Sequence, residues 1–253
     1  MPRRVFIVHG FEGNPHGNWF DWLSAQVRAA GFQADSLAMP NPERPTVSSW
    51  QFALDQVIGK PDENTFLVGH SLGCITLLHF LSRQQPEKIG GLVLAAGFAD
   101  PLPPLPALDA YIKGAAPEFD ILRKIQMPKH CIVSDDDTHV PPELTLDMAD
   151  KLKSPVTHIA QGGHLMASDG FTELPQAWEA LKPMLEAKIW PERIKHPSVQ
   201  TRIPVPKHNP VRNIHTDTRY SRQTYSNEVF EFQYNGLKLQ WYGVANALMY
   251  YPY

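Results

Sequence analysis

Short apolar runs alternate with stretches of helical period along most of the chain. Runs bounded by glycine, proline or polar residues predict strands, and they lie at residues 5–8, 34–37, 65–68, 92–96, 131–133 and 156–159. Stretches in which apolar residues recur every three or four positions predict helices, at residues 19–30, 47–58, 74–82, 143–152 and 178–189. Strands that alternate with helices predict an α/β fold, with a mostly parallel sheet covered by helices on both faces.

Local signals refine the ends of three predicted helices. Gly31 is expected to stop the first helix, and either Thr46 or Ser48 is expected to cap the second. Pro183 lies inside the last predicted helix, where proline removes a backbone donor and clashes with the preceding turn. We therefore expect that helix to break or bend near Pro183.

Residues 98–117 interrupt the alternation, with prolines at positions 101, 103, 104 and 106. The segment is too short for a lid of several helices. Two interpretations remain open. The segment is either a rigid surface loop or one wall of a substrate site, to which Phe98, Leu102, Leu105 and Tyr111 contribute apolar surface.

The composition changes after residue 189. Residues 190–224 are rich in Pro, Arg, His, Asn and Thr without a period, which predicts an extended linker. Residues 229–242 alternate around Asn-Gly at 235–236, the strongest short signal for a hairpin with a type I′ turn. The predicted cross-strand pairs are Phe230 with Trp241, Phe232 with Leu239 and Tyr234 with Leu237. Because an isolated hairpin is marginally stable, this apolar face should pack on the rest of the chain, another subunit or a protein partner. The predicted division is therefore a domain at 1–189 and an extension at 190–253.

Composition excludes several classes of partner. A net charge of −3 gives no electrostatic reason to expect nucleic acid or an anionic membrane, and no apolar stretch approaches the length of a membrane span. The apolar run at 5–8 is too short for a signal peptide, and Cys74 and Cys131 fall inside predicted core elements. We expect reduced, buried thiols and a cytoplasmic location.

The chain has eleven histidines, but none forms a pair at metal-ligand spacing with a third ligand, so neither a metal nor a cofactor is predicted.

The third predicted strand ends in Gly-His-Ser-Leu-Gly at 69–73, and a helix follows at once. A strand, a sharp turn with serine at its tip and a helix form a nucleophile elbow. Glycines two residues before and two after the serine remove side chains that would clash in this turn. The Ser71 hydroxyl would then project above the sheet, and the N–H of Leu72 would point to the same place, as an oxyanion donor should. The alternative is a glycine-flanked serine in an ordinary turn between strand and helix.

A serine nucleophile needs a histidine base and a carboxylate that orients it. In an elbow architecture the acid precedes the histidine, and each follows a strand. His164 comes after two glycines past the sixth predicted strand, on a loop free to reach Ser71. Asp135, Asp136 and Asp137 directly follow the fifth strand, and the residues themselves leave open which is the acid and which are solvated or cap the next turn.

Five blocks of the sequence resemble one family. They are residues 5–23 with their His-Gly-Phe at 9–11, Met-Pro-Asn-Pro at 39–42, the elbow at 69–73, residues 134–141, and Gly-Gly-His-Leu at 162–165. Together they resemble the YdeN-like and retinoblastoma-binding-protein-9-like serine hydrolases, a group of small α/β-hydrolases, over roughly residues 4–185. The elbow is shared by all serine α/β-hydrolases, whereas its conjunction with the Met-Pro-Asn block and the short chain indicates this family. The extension after residue 189 departs from it.

The resemblance implies an α/β-hydrolase fold with a minimal cap and assigns catalytic roles to three residues. In the family the acid lies three residues before a Val-Pro pair, which corresponds to Asp137; the nucleophile corresponds to Ser71 and the base to His164. The N–H of Phe11 is expected to be the second oxyanion donor beside that of Leu72. The loop at 12–18 would form a rim of the pocket, and further substrate contacts are expected from His9, Gly10, His70 and Phe98.

Two functions follow from the sequence. The first is a serine hydrolase that cleaves a carboxylic ester, thioester or amide of a small molecule through an acyl-enzyme intermediate. The second is a non-catalytic binding module that keeps the fold and holds a partner with its pocket or C-terminal tail. A serine, an aspartate and a histidine in the required order favour the hydrolase.

Overall fold

The structure, a computed structural model, describes residues 2–187 together with the backbone of residues 229–234 and 237–242. The chain divides into two units, Met1–Lys195 and His196–Tyr253, and each is described by itself. The predicted linker, the turn at 235–236 and the boundary after residue 189 lie outside the described residues. The predicted domain boundary therefore stays a prediction.

The first unit is built on a six-stranded sheet in the order β2-β1-β3-β4-β5-β6. All neighbouring strands pair in parallel. The strands are β1 (Arg4–Val8), β2 (Gln33–Leu37), β3 (Thr65–His70), β4 (Gly91–Ala95), β5 (Lys129–Ser134) and β6 (Val156–Ile159). Every residue of the central strands β3 and β4 is buried, as expected for strands covered on both faces.

Seven helices are described in this unit, and each helix that the sequence predicted is among them. They are α1 (Phe20–Ala29), α2 (Val47–Val57), α3 (Leu72–Gln84), α4 (Asp109–Gly114), α5 (Phe119–Leu122), α6 (Pro142–Leu152) and α7 (Pro175–Glu186). Thr46, not Ser48, caps α2, because its hydroxyl accepts the N–H of Ser49 at 3.2 Å. Helix α7 continues through Pro183, so the break that the proline predicted is absent there.

Side chains alternate between two apolar cores, one on each face of the sheet. Phe6, Leu67 and Leu94 face a core that includes residues of α2, α3 and α6. Val5, Val68 and Val93 face a second core, which includes residues of α1 and α7. The strand period of two therefore builds both layers of helices onto one sheet.

Both cysteines lie in the first core as free, buried thiols. Burial raises the pKa of Cys74 and raises that of Cys131 to about 11, so neither is a thiolate near neutral pH. The prediction of reduced, buried cysteines agrees with this arrangement.

The proline-rich segment 98–117 contains helical structure that the sequence did not predict. It contains a 3₁₀ turn at Pro106–Leu108 followed by α4. Phe98 and Tyr111 are buried in the core, and the Tyr111 hydroxyl is 2.8 Å from that of Thr76 on α3. The segment is thereby attached to the helix that follows the elbow.

The described part of the second unit is an antiparallel pair, β7 (Val229–Tyr234) with β8 (Leu237–Tyr242). Phe230 pairs with Trp241, Phe232 with Leu239 and Tyr234 with Leu237, which is the register that the alternation predicted. Across the described residues, no helix combines the length and the apolar character that crossing a membrane requires.

Candidate active site

Three predicted site residues meet at the carboxyl ends of parallel strands. Ser71 follows β3, Asp137 follows β5 and His164 follows β6. The Ser71 Oγ lies 2.9 Å from His164 Nε2, and His164 Nδ1 lies 2.7 Å from Asp137 Oδ2. All three side chains are largely buried. Segments that lie 93 and 27 residues apart in sequence thus form one continuous chain of hydrogen bonds.

The turn at Ser71 has the strained backbone that an elbow requires. Ser71 has φ 54° and ψ −122°, a region that residues with a side chain rarely adopt. A Cβ at Gly73 would lie 2.2 Å from the Val8 carbonyl oxygen, and one at Gly10 would lie 2.8 Å from the Ser71 Cβ. Strand β1 and the loop after it therefore approach the elbow closely only because these two positions are glycine.

Hydrogen bonding determines the tautomer of His164. Asp137 Oδ1 accepts the backbone N–H groups of His139 and Val140 at 2.8 and 2.9 Å, and Oδ2 faces His164 Nδ1. An ionised carboxylate only accepts hydrogen bonds, so Nδ1 carries the proton. The Nε2 atom is then left with its lone pair directed at the Ser71 hydroxyl.

The three adjacent aspartates have different partners. Asp137 contacts His164, whereas Asp135 Oδ1 lies 2.7 Å from His158 Nδ1. Asp136 Oδ1 accepts the Ser134 hydroxyl and two backbone N–H groups of the loop that carries His164. The structure thus brings Asp137, and neither of its neighbours, to the imidazole of His164.

A cavity of about 620 Å³ opens at Ser71 and His164. Its rim includes Phe11, Glu12 and other residues of the loop that the sequence placed there. One wall is apolar and is formed by Leu102, Pro104, Leu105 and Leu108. The second interpretation of segment 98–117, a wall of the site, thus fits Leu102 and Leu105, whereas Phe98 and Tyr111, which it also named, do not line the cavity.

Phe98 is the predicted substrate contact that the structure places elsewhere. It is fully buried in the core and is not among the residues that line the cavity. The reason is that Phe98 lies three residues after the end of the buried strand β4, before the chain reaches the cavity at Leu102. Its apolar side chain signalled burial, and only the fold shows that it packs in the core.

His9 and His70 line the cavity, and three of their four ring nitrogens have hydrogen-bond partners within the protein. His9 donates from Nδ1 to the Gly10 carbonyl and accepts the N–H of Met39 at Nε2. His70 donates from Nε2 to the His164 carbonyl at 2.9 Å. Burial lowers the pKa of His9 and lowers that of His70 to about 3, so both rings are neutral near pH 7.

Two backbone donors remain available beside the serine. Within the described residues, the N–H groups of Phe11 and Leu72 have no hydrogen-bond acceptor. Leu72 is the first residue of α3, where N–H groups are unsatisfied by the helix itself. Phe11 lines the cavity directly after Gly10, which approaches Ser71.

Sequence reasoning missed two residues near His164. The ring of His139 stacks on that of His164 with centroids 5.0 Å apart and planes at 20°. Asp169 Oδ2 accepts the backbone N–H of His164 at 2.9 Å. Neither position carries a local signal, because both contacts depend on how the loops after β5 and β6 fold back.

Comparisons with known proteins show the family of this chain. A sequence model of the serine hydrolase family matches residues 5–183. The YdeN protein of Bacillus subtilis (strain 168) is 39% identical over 184 residues, which are 72% of this chain and 95% of YdeN.

Solved structures extend the comparison to the fold. The structure of the B. subtilis ydeN gene product superposes with a TM-score of 0.70 and 34% identity, covering 73% of this chain and 100% of that one. Est1E from Butyrivibrio proteoclasticus (TM-score 0.52, 16% identity, 72% of this chain and 89% of that one) and a bromoperoxidase from Bacillus anthracis (TM-score 0.54, 15% identity, 74% and 93%) share the fold. The fold is that of the α/β-hydrolases, and the chain belongs to the serine hydrolase family as a YdeN-like member.

Proposed function

We propose that this hydrolase cleaves a carboxylic ester, thioester or amide through Ser71, His164 and Asp137. The observation that carries the proposal is the chain of hydrogen bonds from Asp137 Oδ2 through His164 to Ser71 Oγ, at 2.7 and 2.9 Å, beside a cavity. These three roles make a nucleophile, a base and an orienting acid. The strained backbone at Ser71 supports the role of nucleophile, because strain of this kind clusters at functional sites.

In the first half of the reaction, Ser71 Oγ attacks the carbonyl carbon while His164 Nε2 accepts the hydroxyl proton. The carbonyl oxygen becomes an oxyanion, which the N–H groups of Phe11 and Leu72 stabilise. The bond to the leaving group then breaks, and His164 returns the proton to that group. The product of this half is an ester between the acyl group and Ser71.

In the second half, water attacks the acyl-enzyme and His164 again accepts the proton. Collapse of the second tetrahedral intermediate releases the carboxylic acid and returns the proton to Ser71. Asp137 stays ionised throughout and stabilises the imidazolium that forms transiently on His164.

A fluorophosphonate probe tests the nucleophile, and a panel of esters of increasing acyl-chain length then tests the substrate class. The expected result is covalent labelling of Ser71, located by peptide mass spectrometry, and hydrolysis of activated short-chain esters. A folded chain that is neither labelled nor active on any ester, thioester or amide of the panel would instead favour the non-catalytic binding module.

Glu12 should bias the site against anionic substrates. Among the described residues that line the cavity, it is the one with a formal charge at pH 7 when histidines are neutral. The relevant ratio is kcat/KM for an ester that carries a carboxylate divided by kcat/KM for an ester that carries a quaternary ammonium. Glu12→Lys should raise this ratio on the order of tenfold, because it reverses the charge that each substrate meets and each exposed charge pair contributes below about 1 kcal/mol.

The control for this prediction is Glu63→Lys, which makes the same change of charge at an exposed position before β3, at the end of the sheet away from the cavity. It should leave the ratio unchanged. An unchanged ratio in Glu12→Lys as well would show that the cavity does not select by charge.

Truncation after Ile189 should retain hydrolysis of the same esters. All proposed catalytic residues and the cavity lie within residues 2–187. If the apolar face predicted for the hairpin is covered by the domain or a neighbouring chain, the truncation should also lower stability, solubility or assembly state. Size-exclusion chromatography, thermal melts and the ester assay on both chains measure these effects. Complete loss of activity in a folded, monomeric truncation would mean that the tail contributes to the active site.

A further inference from the structure

The loop at 162–167 positions His164 without the regular hydrogen bonding of a helix or a strand. Two of its residues, Gly163 and Leu165, have left-handed backbones with φ 51° and 55°. Leu165 is not a glycine, so this conformation costs free energy and must be held by contacts from elsewhere.

Side-chain oxygens hold this loop by its backbone N–H groups. Asp136 Oδ1 accepts those of Gly162 and Gly163, both at 2.9 Å. Asp169 Oδ2 accepts those of His164 and Met166, at 2.9 and 3.1 Å. The two remaining donors of the loop, on Leu165 and Ala167, go to the Gly162 carbonyl and to Asn18 Oδ1. Two carboxylates thus bind four of the six consecutive N–H groups around His164.

Two backbone carbonyls of the loop also accept hydrogen bonds. His70 donates to the His164 carbonyl, and Trp19 Nε1 donates to that of Leu165 at 3.1 Å. These donors come from the elbow and from the residue before α1, and together with Asp136 after β5 they connect the loop to three other parts of the fold. The two carboxylates are exposed and the two donors are buried, but each carboxylate binds two N–H groups of the loop, and a hydrogen bond to an ionised acceptor is the stronger kind.

Each carboxylate reaches the loop through a specific local feature. Asp136 also accepts the Ser134 hydroxyl at 2.9 Å, and the N–H of Gly163 together with this hydroxyl lowers the pKa of Asp136. Asp169 approaches so closely that a Cβ at Gly163 would lie 2.6 Å from its Cγ. Gly163 is therefore needed for its backbone angle and for the space that Asp169 occupies.

We propose that Asp136 and Asp169 are positioning residues that hold the His164 loop so that Nε2 stays in line with the Ser71 hydroxyl. The proposal rests on the proposed function in assigning a base to His164. Neither carboxylate touches the substrate cavity, so each acts through the backbone that it binds. A misplacement of about 1 Å at a reacting group lowers the rate about a hundredfold. Loss of either carboxylate is therefore expected to lower kcat by up to this factor.

Three substitutions at each site separate geometry from charge. Asp136→Ala and Asp169→Ala remove the acceptor and should lower kcat about 10- to 100-fold while KM stays within about threefold. Asparagine keeps an oxygen at the same place without the charge and should restore most of kcat. Glutamate keeps the charge but displaces it by one methylene, and should therefore be closer to alanine than to asparagine.

Asp135→Ala is the matched control, because it removes the neighbouring carboxylate, whose partner is His158 and not the loop. It should leave kcat unchanged. Thermal melts report whether each variant folds. The downfield ¹H NMR signal of the His164 Nδ1 proton reports the geometry without turnover, and it should shift or broaden in both alanine variants.

Three results would overturn the proposal. The first is parental kcat in the folded alanine variants. The second is asparagine variants as slow as the glutamate variants, a comparison that remains decisive if the alanine variants do not fold. The third is an unchanged His164 signal in the alanine variants. If the parent chain hydrolyses nothing, the proposed function fails, and the NMR comparison still decides whether the carboxylates position His164.

Discussion

Ser71→Ala should abolish hydrolysis of activated short-chain esters and labelling by a fluorophosphonate. Removing the nucleophile of such a triad costs on the order of 10⁴-fold or more in kcat. The fold should be preserved, because alanine keeps the Cβ that serine already accommodates at φ 54°. The Ser71 hydroxyl bonds to His164 Nε2, so its removal leaves that atom facing the cavity.

Ser48→Ala is a suitable control for the loss of a hydroxyl, since Ser48 is exposed on α2 away from the cavity. Steady-state turnover, intact-protein mass spectrometry after labelling and a thermal melt complete the comparison. Near-parental turnover by a folded Ser71→Ala protein would rule out Ser71 as the nucleophile.

Asp137→Asn should lower kcat on the order of 10⁴-fold with little change in KM, because it reverses the tautomer of His164. The backbone N–H groups of His139 and Val140 both point at the Oδ1 position, so the amide oxygen must occupy it. The amide NH₂ is then placed where Oδ2 was, facing His164 Nδ1. Nδ1 becomes an acceptor, the proton moves to Nε2, and His164 no longer accepts the Ser71 proton.

The same substitution at the two neighbouring aspartates should cost much less. Asp135→Asn changes only a contact with His158, and Asp136→Asn keeps an acceptor for the His164 loop. The kcat values of the three variants, measured beside their thermal midpoints, rank the three roles. A larger loss at Asp136 than at Asp137 would overturn the assignment of the acid.

These predictions link catalysis to the least regular parts of the fold. The strands and most of the helices follow from apolar periods, and β3 and β4 are buried throughout, whereas the proposed acid and base lie on loops after β5 and β6. Loop backbones need partners for their polar groups, and here side-chain carboxylates supply many of them. Asp137 thus contacts the imidazole of His164, and Asp136 and Asp169 bind the backbone that carries it, whereas Asp135 contacts His158.

The sheet and five of its seven helices were predictable because their signals are local, whereas the short helices α4 and α5 were not predicted. Apolar residues that recur every two positions predict strands, those that recur every three or four predict helices, and glycine and proline predict where these elements end. All of these signals lie within a few residues of one another. Errors occurred where tertiary packing overrides such a signal. Phe98 is buried in the core although its segment reaches the cavity, and of the break or bend predicted near Pro183, the break is absent from α7.

By itself the sequence determined the order of the six strands and of five of the seven helices, the elbow at Ser71 and the loop position of His164. A glycine-flanked serine between a strand and a helix is constrained by backbone sterics alone, so its neighbours in sequence suffice to predict the turn. The resemblance to a family added which aspartate to expect, but the residues alone left Asp135, Asp136 and Asp137 equivalent in chemistry.

Only the tertiary structure decided what each of these carboxylates does. Three consecutive side chains on a turn point in different directions, and their partners come from segments 23 to 27 residues away. The same holds for Asp169, whose role depends on a loop that doubles back onto Gly163. A hydrogen bond forms only when donor and acceptor lie about 3 Å apart. Whether two loops come that close depends on where distant strands end in the packed sheet, and no single stretch of sequence determines it.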